Sequence, residues 1–366
     1  MSRQQEKQSL LGSAPIGKLM AKLALPSIVA QVINILYNIV DRIYIGHIEE
    51  GSSLALTGLG ICFPIITLIS AFSAFAGAGG APLAAIELGK SEYDAKAKEK
   101  ANEILGNVII MIIGFSLILS VFFYLFKEPI LLAFGASENT LPFAKDYLEI
   151  YLIGTLFVQI SIGLNPFISC QGFAKTAMAS VIIGAMANII LDPIFIFGLN
   201  LGVRGAAFAT VISQGISAIW IIRFLASKKS ALPLSVKIIR FWPKIIGKIS
   251  SLGISPFIMQ STESAIFVVF NSGLQKYGGD LYVGAMTIMQ SIMQMCFVPL
   301  SGFTDGVQPI LSYNYGAKKI DRVKDAIKKM LVISFSASIV MGVLVPLFPM
   351  QIARIFTSNI DLLLVT

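Results

Sequence analysis

Gln31, Asn34, Asn38 and Asp41 stand at spacings of three, four and three residues in an otherwise apolar stretch. At 100° per helical residue they fall within one sector of about 80°, with Tyr37 at its edge. Amides and a carboxylate facing lipid would leave donors and acceptors unpaired, so this stripe must face a cavity or another helix. Asn188 and Asp192 form a second group, one helical turn apart and followed by Pro193. The proline removes a backbone donor, frees a carbonyl one turn earlier and bends the helix. Freed carbonyls beside a carboxylate suit a cation or a proton. Gln260, Glu263 and Asn271 share a third face, and Asp305 lies in the irregular stretch SGFTDGVQP. A charge at the bilayer centre costs at least ~2.5–3.5 kcal/mol, which makes each of these carboxylates a functional candidate.

The segments that carry these residues read as membrane-crossing. The chain has 366 residues, 55% hydrophobic and 13% charged, with a mean hydropathy of +0.80. Soluble domains carry roughly 25% charged residues, so this chain has too few charges to coat a wet surface. The fold class expected is an all-α integral membrane protein. Hydrophobic segments fall near 23–46, 53–86, 104–126, 147–169, 177–200, 204–226, 249–272, 282–312 and 330–352, with a tenth starting near 359. The net charge of +8 does not point to nucleic acid, because the basic residues sit in short stretches between apolar runs. With the N-terminus inside, 22 of the 28 Lys and Arg fall on the cytoplasmic side, as the positive-inside rule requires. Residues 1–22 are polar and basic, with no cleavable hydrophobic region.

The chain also repeats itself. Pro82, Gly89 and Asp94 match Pro309, Gly316 and Asp321, all at an offset of 227, and LALPSIVAQ resembles LGISPFIMQ at an offset near 229–230. Six segments separate the copies, so the repeats run parallel about an axis along the membrane normal. A transport route is expected in the cleft between two such halves. The first copy ends near residue 226, and by the same offset about two helices of the second are expected beyond Thr366.

Depth groups the polar residues. Asp41, Asp192 and Glu263 lie about 21–26 Å along segments that run from inside to outside. Thr210 reaches a similar level from the other direction, so Asp41, Asn188, Asp192 and Thr210 are expected to meet inside the first half. A carboxylate in such a place binds a proton or a sodium ion from outside and loses it inside. Met259, Met286, Met289, Met293, Met295 and Met330 enrich the later segments in flexible thioethers, which suit promiscuous apolar surfaces. Cys62, Cys170 and Cys296 are far apart in apolar segments, without metal or redox spacing, and His47 reads as interfacial. No GxxxxGK[ST] loop occurs, which argues against an ATP-driven pump.

The stretches LPSIVAQVINILYNIVDRIYIG, NIILDPIFIFGLNLGVRGAAFATVIS, GKSEYDAKA and YNYGAKKIDRV resemble the multidrug and toxic compound extrusion (MATE) family over nearly the whole chain. The resemblance implies twelve helices in two six-helix lobes and export of organic, often cationic or amphiphilic, compounds in exchange for H+ or Na+. No cofactor and no enzymatic reaction are implied. On that reading, 23–226 is the N-lobe, 227–248 a basic cytoplasmic linker and 249–366 about four helices of an incomplete C-lobe. It also implies a cation site at Tyr37, Asp41, Asn188, Asp192 and Thr210, with Na+ at Asp41 and Asp192. Gln31, Asn34, Asn38, Gln260, Glu263, Met286 and Met289 would line the substrate pathway. The expected setting is the plasma membrane, as a monomer that touches lipid and small organic substrates. The alternative is a lipid-linked oligosaccharide flippase of the same superfamily. It should line its cavity with Arg or Lys to hold pyrophosphate, whereas these segments carry carboxylates and amides. A receptor or channel subunit would need neither the repeat nor carboxylates at matched depth.

Overall fold

A computed structural model describes residues 10–48, 52–235, 238–354 and 364–365, with only some side chains between 267 and 291. The helices are α1 (Ile16–Ile45), α2 (Ser52–Lys90), α3 (Ala97–Ala133), α4 (Leu141–Ile153), α5 (Thr155–Ser169) and α6 (Ala174–Pro193). A π turn (Ile194–Gly198) leads to α7 (Gly202–Leu225), α8 (Pro243–Gly316), α9 (Ile320–Leu347) and a short α10 (Pro349–Ala353). No strand occurs among the described residues. Six described helices are long and apolar enough to cross a membrane, and a seventh span results if α4 and α5 count as one. In hydrocarbon each backbone donor and acceptor needs a partner inside its own segment, and a helix provides that. The chain is a multi-pass membrane protein.

Two details depart from the sequence expectation, and a third expectation falls largely outside the described residues. The segment expected at 147–169 is two helices, bent by 59° at the break between Ile153 and Thr155. At Gly154 a side chain would lie 2.6 Å from Val211 Cγ1, so only glycine lets α7 pack into the bend. The Leu152 carbonyl at this break accepts from Ser120 Oγ at 2.9 Å. Second, the segments expected at 249–272 and 282–312 belong to one uninterrupted helical stretch, α8, of 74 residues. Straight, it would be about 110 Å long. Yet Ile249 meets Gly79 and Tyr313 meets Gly89, two positions only about 15 Å apart on α2. The stretch therefore reverses, and its two arms are the two expected segments. Third, the segment expected from about 359 lies outside the described residues except for 364–365.

The helices close tightly at one end of the bundle, where α1 begins and α2 ends. There a continuous apolar core joins Leu11, Leu19, Leu23, Leu88 and Leu105 to Phe303, Val307 and Ile310 of α8. At the opposite end the buried core among the described residues comes from α1–α5, the π turn and α7, around Ile45, Ile65, Leu131, Leu148 and Ile196. The α8 residues Met289 and Met293 and the α1 residues Leu36 and Ile43 are exposed. Among the described residues the buried core reaches α8 at one end, the shut end, and not at the other, the splayed end.

Glycines make the shut end possible, because without Cβ atoms helices approach backbone to backbone. The contacts are reciprocal. Gly89 abuts the Tyr313 carbonyl, and Gly316 abuts the Ile86 carbonyl. Gly316 and Tyr313 are the 227-residue equivalents of Gly89 and Ile86. Gly79 abuts Gly253, while its equivalent Gly306 abuts Ala24, the residue matched to Gly253. Glu92 and its equivalent Lys319 form an ion pair at 2.7 Å. A contact in which i meets j and j′ meets i′ is what a two-fold axis produces.

Candidate cation site and cleft

Near the splayed end, α1, α4, α6 and α7 surround a polar group. α1 delivers Asp41, 8% exposed; α6 delivers Asn188 and Asp192, 1% and 0% exposed. The single turn between the α6 pair lets Asn188 Nδ2 donate to Asp192 Oδ1 at 3.1 Å. Directly after Pro193 the α-helical pattern gives way to the π turn, as a proline without a donor N–H favours. Asp192 lies within electrostatic range of Asp41. Tyr37, half-buried, faces Asp41 and is within hydrogen-bonding reach of Asn38 and Gln214. Thr210 on α7 is within hydrogen-bonding reach of Tyr147 on α4, which also faces Asp41. Tyr147 and Tyr151 stack at 6.1 Å.

Asp41, Asn188, Asp192, Thr210 and Tyr37 are thus brought together. Tyr147, Tyr151 and Gln214 join them without having been singled out from sequence. The i, i+4 spacing of the two tyrosines was the available signal, but tyrosines near a helix end also suit the membrane interface. Three oxygens of the group have no donor among the described residues: Asp41 Oδ1, Asn188 Oδ1 and Asp192 Oδ2. All three are acceptors. Leaving one such group buried and unpaired costs about 1–3 kcal/mol, and a proton or a small cation could meet these acceptors. Among the described residues no three His, Cys, Asp or Glu side chains cluster as a metal site. The oxygens available are two carboxylates and neutral amide and hydroxyl groups.

The polar stripe of α1 divides between two neighbours. At 100° per residue Tyr37 and Asp41 occupy one edge and Gln31 the other. Gln31 Nε2 donates across the cleft to Asp305 Oδ2 on the second arm of α8, at 3.2 Å. Asn34 and Asn38 are exposed between these edges, with Asn38 Nδ2 donating to the Asn34 carbonyl at 2.6 Å. Glu263 is exposed and Gln260 half-buried on the first arm of α8; Met286 is half-buried and Met289 exposed. None of these four is among the groups facing Asp41 or Asp192. The side chain of Asn271 lies outside the described residues. His47 pairs with the Ile43 carbonyl at 2.7 Å, and all three cysteines are free thiols.

A helical membrane bundle, shut at one end among the described residues, with a buried set of unpaired acceptors toward the other, has the form of a secondary carrier. The family model MatE matches residues 26–194 and 256–366. The chain belongs to the MatE family. It is 29% identical over 317 residues to the multidrug export protein MepA of Staphylococcus haemolyticus, covering 87% of this chain and 68% of that protein. It is 26% identical over 318 residues to MepA of Staphylococcus aureus, with the same coverage. A MATE transporter solved in complex with MaL6 superposes with a TM-score of 0.88 at 24% identity, covering 98% of this chain and 78% of the other. An outward-facing multidrug resistance MATE transporter of the MOP superfamily gives 0.87 at 24% identity, covering 97% and 77%.

Proposed function

We propose that this protein exports small organic, often cationic or amphiphilic, compounds across the plasma membrane by antiport with H+ or Na+. The observation that carries this reading is the set of unpaired buried acceptors on Asp41, Asn188 and Asp192. A carrier driven by a cation needs a site whose charge changes with occupancy, and these oxygens provide one. The family and the named relatives, both multidrug export proteins, support export over the flipping of a lipid-linked oligosaccharide. So does a cleft lined by Asn34, Asn38 and Asp305.

The reciprocal contacts support two lobes, the first of residues 23–226 and the second beginning at 249, joined by the basic linker 227–248. The positive-inside distribution supports assigning the shut end to the cytoplasm, which makes this arrangement outward-open. A cation enters from outside and settles between Asp41 and Asp192, with Asn188 and Thr210 adding neutral oxygens and Tyr37 covering the group. Substrate leaves past Gln31, Asn34, Asn38 and the α8 residues Gln260, Glu263, Met286 and Met289. Neutralising the carboxylates lets the lobes close outside and part inside, where cation and substrate exchange. One inward charge releases ~2.3 kcal/mol per 100 mV, enough for more than a tenfold solute ratio at 1.4 kcal/mol per decade. No covalent step and no cofactor enter this cycle, and a single copy of the carrier suffices.

The test is dye efflux in vesicles holding the carrier, energised separately by a pH and by a sodium gradient. Asp41→Asn and Asp192→Asn should each abolish gradient-driven efflux at unchanged membrane abundance. Unchanged efflux in both variants refutes the proposal; the gradient that drives the parent names the ion.

A further inference from the structure

A second feature lies at the shut end, away from the cation group. α3, α5 and α7 leave a groove of about 380 Å³ between them, lined by Ile109, Ile112, Leu156, Ile160 and Ile222, among others. The linker closes one side with Leu234, Ser235 and Ile239. This linker is fastened at both ends. Gln171 Oε1 accepts from the Ala231 amide at 2.6 Å and from Ser230 Oγ at 3.1 Å. Asn107 Oδ1 accepts from the Trp242 amide at 2.9 Å.

The level of the groove follows from these anchors. Phe241 and Trp242 are 66% and 45% exposed, beside Arg240 and Lys244, which are exposed too. Aromatic and basic side chains together belong at the headgroup level. Asn107 is tied to that level, and the lining residues Ile109 to Ile113 lie two to six residues further along α3, about 3–9 Å into the hydrocarbon. The charge is one-sided. No Asp or Glu occurs between Asp192 and Glu263, a stretch holding eight Lys and Arg. Neither Arg240 nor Lys244 joins an ion pair among the described residues. Glu99 and Glu103 on α3 are the nearest acidic residues in sequence to the Asn107 anchor, and neither forms an ion pair with Arg240 or Lys244 among the described residues. An apolar slot just below a basic rim free of ion pairs fits one class of ligand.

We propose that this groove binds an anionic phospholipid, one acyl chain lying between α3, α5 and α7 and the phosphate held by Arg240 and Lys244. Binding is independent of the transport reading; only the assignment to the inner leaflet rests on the orientation given above. The ligand holds the linker against α3 and so fastens the segment that joins the two repeats.

The test is native mass spectrometry of the purified full chain, titrated with phosphatidylglycerol or phosphatidylcholine of identical acyl chains. The parent should retain phosphatidylglycerol preferentially. Arg240→Gln with Lys244→Gln should weaken its retention about thirtyfold, the equivalent of ~1 kcal/mol for each surface charge, and weaken phosphatidylcholine, whose choline offsets its phosphate, much less, so that the preference is lost. Ile239→Asp, at a linker position 39% exposed, should reduce retention of both lipids. Equal retention of the two lipids by the parent, or an undiminished preference in the double variant, overturns the proposal. Binding lost in the double variant but unaltered by Ile239→Asp overturns the groove as the acyl site.

Discussion

Replacing either glycine of the reciprocal contact with alanine should open the shut end. At Gly89 a Cβ would press into the Tyr313 carbonyl; at Gly316 it would press into the Ile86 carbonyl, each far inside the 3.0 Å that real Cβ atoms respect. Both obstacles are backbone, so no side chain can rotate aside. The helices must separate by on the order of 1 Å, and overpacking of this kind costs about 1–3 kcal/mol. That cost falls only on the shut arrangement. At 1.4 kcal/mol per decade it shifts the balance between shut and open by about five- to 140-fold. Because the two contacts are one interface seen from both sides, the single variants should behave alike, and the double variant should cost less than their sum.

The assay is pulsed electron–electron distance measurement between spin labels at Lys96 and Lys324, both exposed at this end. Each variant should add or enlarge a long-distance population relative to the parent. Gly60→Ala is the control, since nothing lies within 4 Å of a Cβ there. It should leave the distribution unchanged. Unchanged distances in both contact variants, or a response in one with silence in the other, would refute the reciprocal contact as the element that holds this end closed.

Three further outcomes follow from particular contacts. Gly154→Ala should lower the thermal stability of the detergent-solubilised protein by ~1–3 kcal/mol, because its Cβ enters the space of Val211; fluorescence-detected size exclusion after heating measures it. Tyr147→Phe removes the hydroxyl facing Thr210 and Asp41 but no carboxylate. It should raise the cation concentration for half-maximal efflux without abolishing transport, in contrast to Asp41→Asn. Glu92→Lys and Lys319→Glu should each weaken the shut end slightly, as a part-exposed pair is worth ~0–1 kcal/mol. The double exchange should restore the parent distance distribution in the same spin-label assay.

What was legible in sequence depended on which force left a mark. Asp41, Asn188 and Asp192 were readable because lipid makes an unpartnered carboxylate expensive, and their spacing assigns them to faces. Tyr147 and Tyr151 were not, because an aromatic side chain near a helix end suits the membrane interface, the core and a polar site alike. The break at Gly154 was hidden for a similar reason. A lone glycine in LIGTLF looks like any small packing residue, and only Val211, 57 positions later, makes it a bend. The reversal within α8 was anticipated as two hydrophobic segments, 249–272 and 282–312, although the helical stretch itself continues.

The repeat offset holds more spatial information than a count of helices. Residues related by a two-fold axis touch only if they lie on that axis or beside it; elsewhere equivalents are separated by the width of the molecule. Pro82 and Pro309 are equivalents, and so are Gly89 and Gly316, and Glu92 and Lys319. Of these, Glu92 touches its own equivalent, and Gly89 and Gly316 each touch a residue three positions before the other. The axis must therefore pass between the end of α2 and the end of α8, at residues 86–92 and 313–319. Motion that parts the halves has its largest lever arm far from these residues when they act as the hinge, and begins here when they act as the gate. Backbone contacts too close for any side chain favour the gate, since a hinge turns through a range of angles and such contacts tolerate only one.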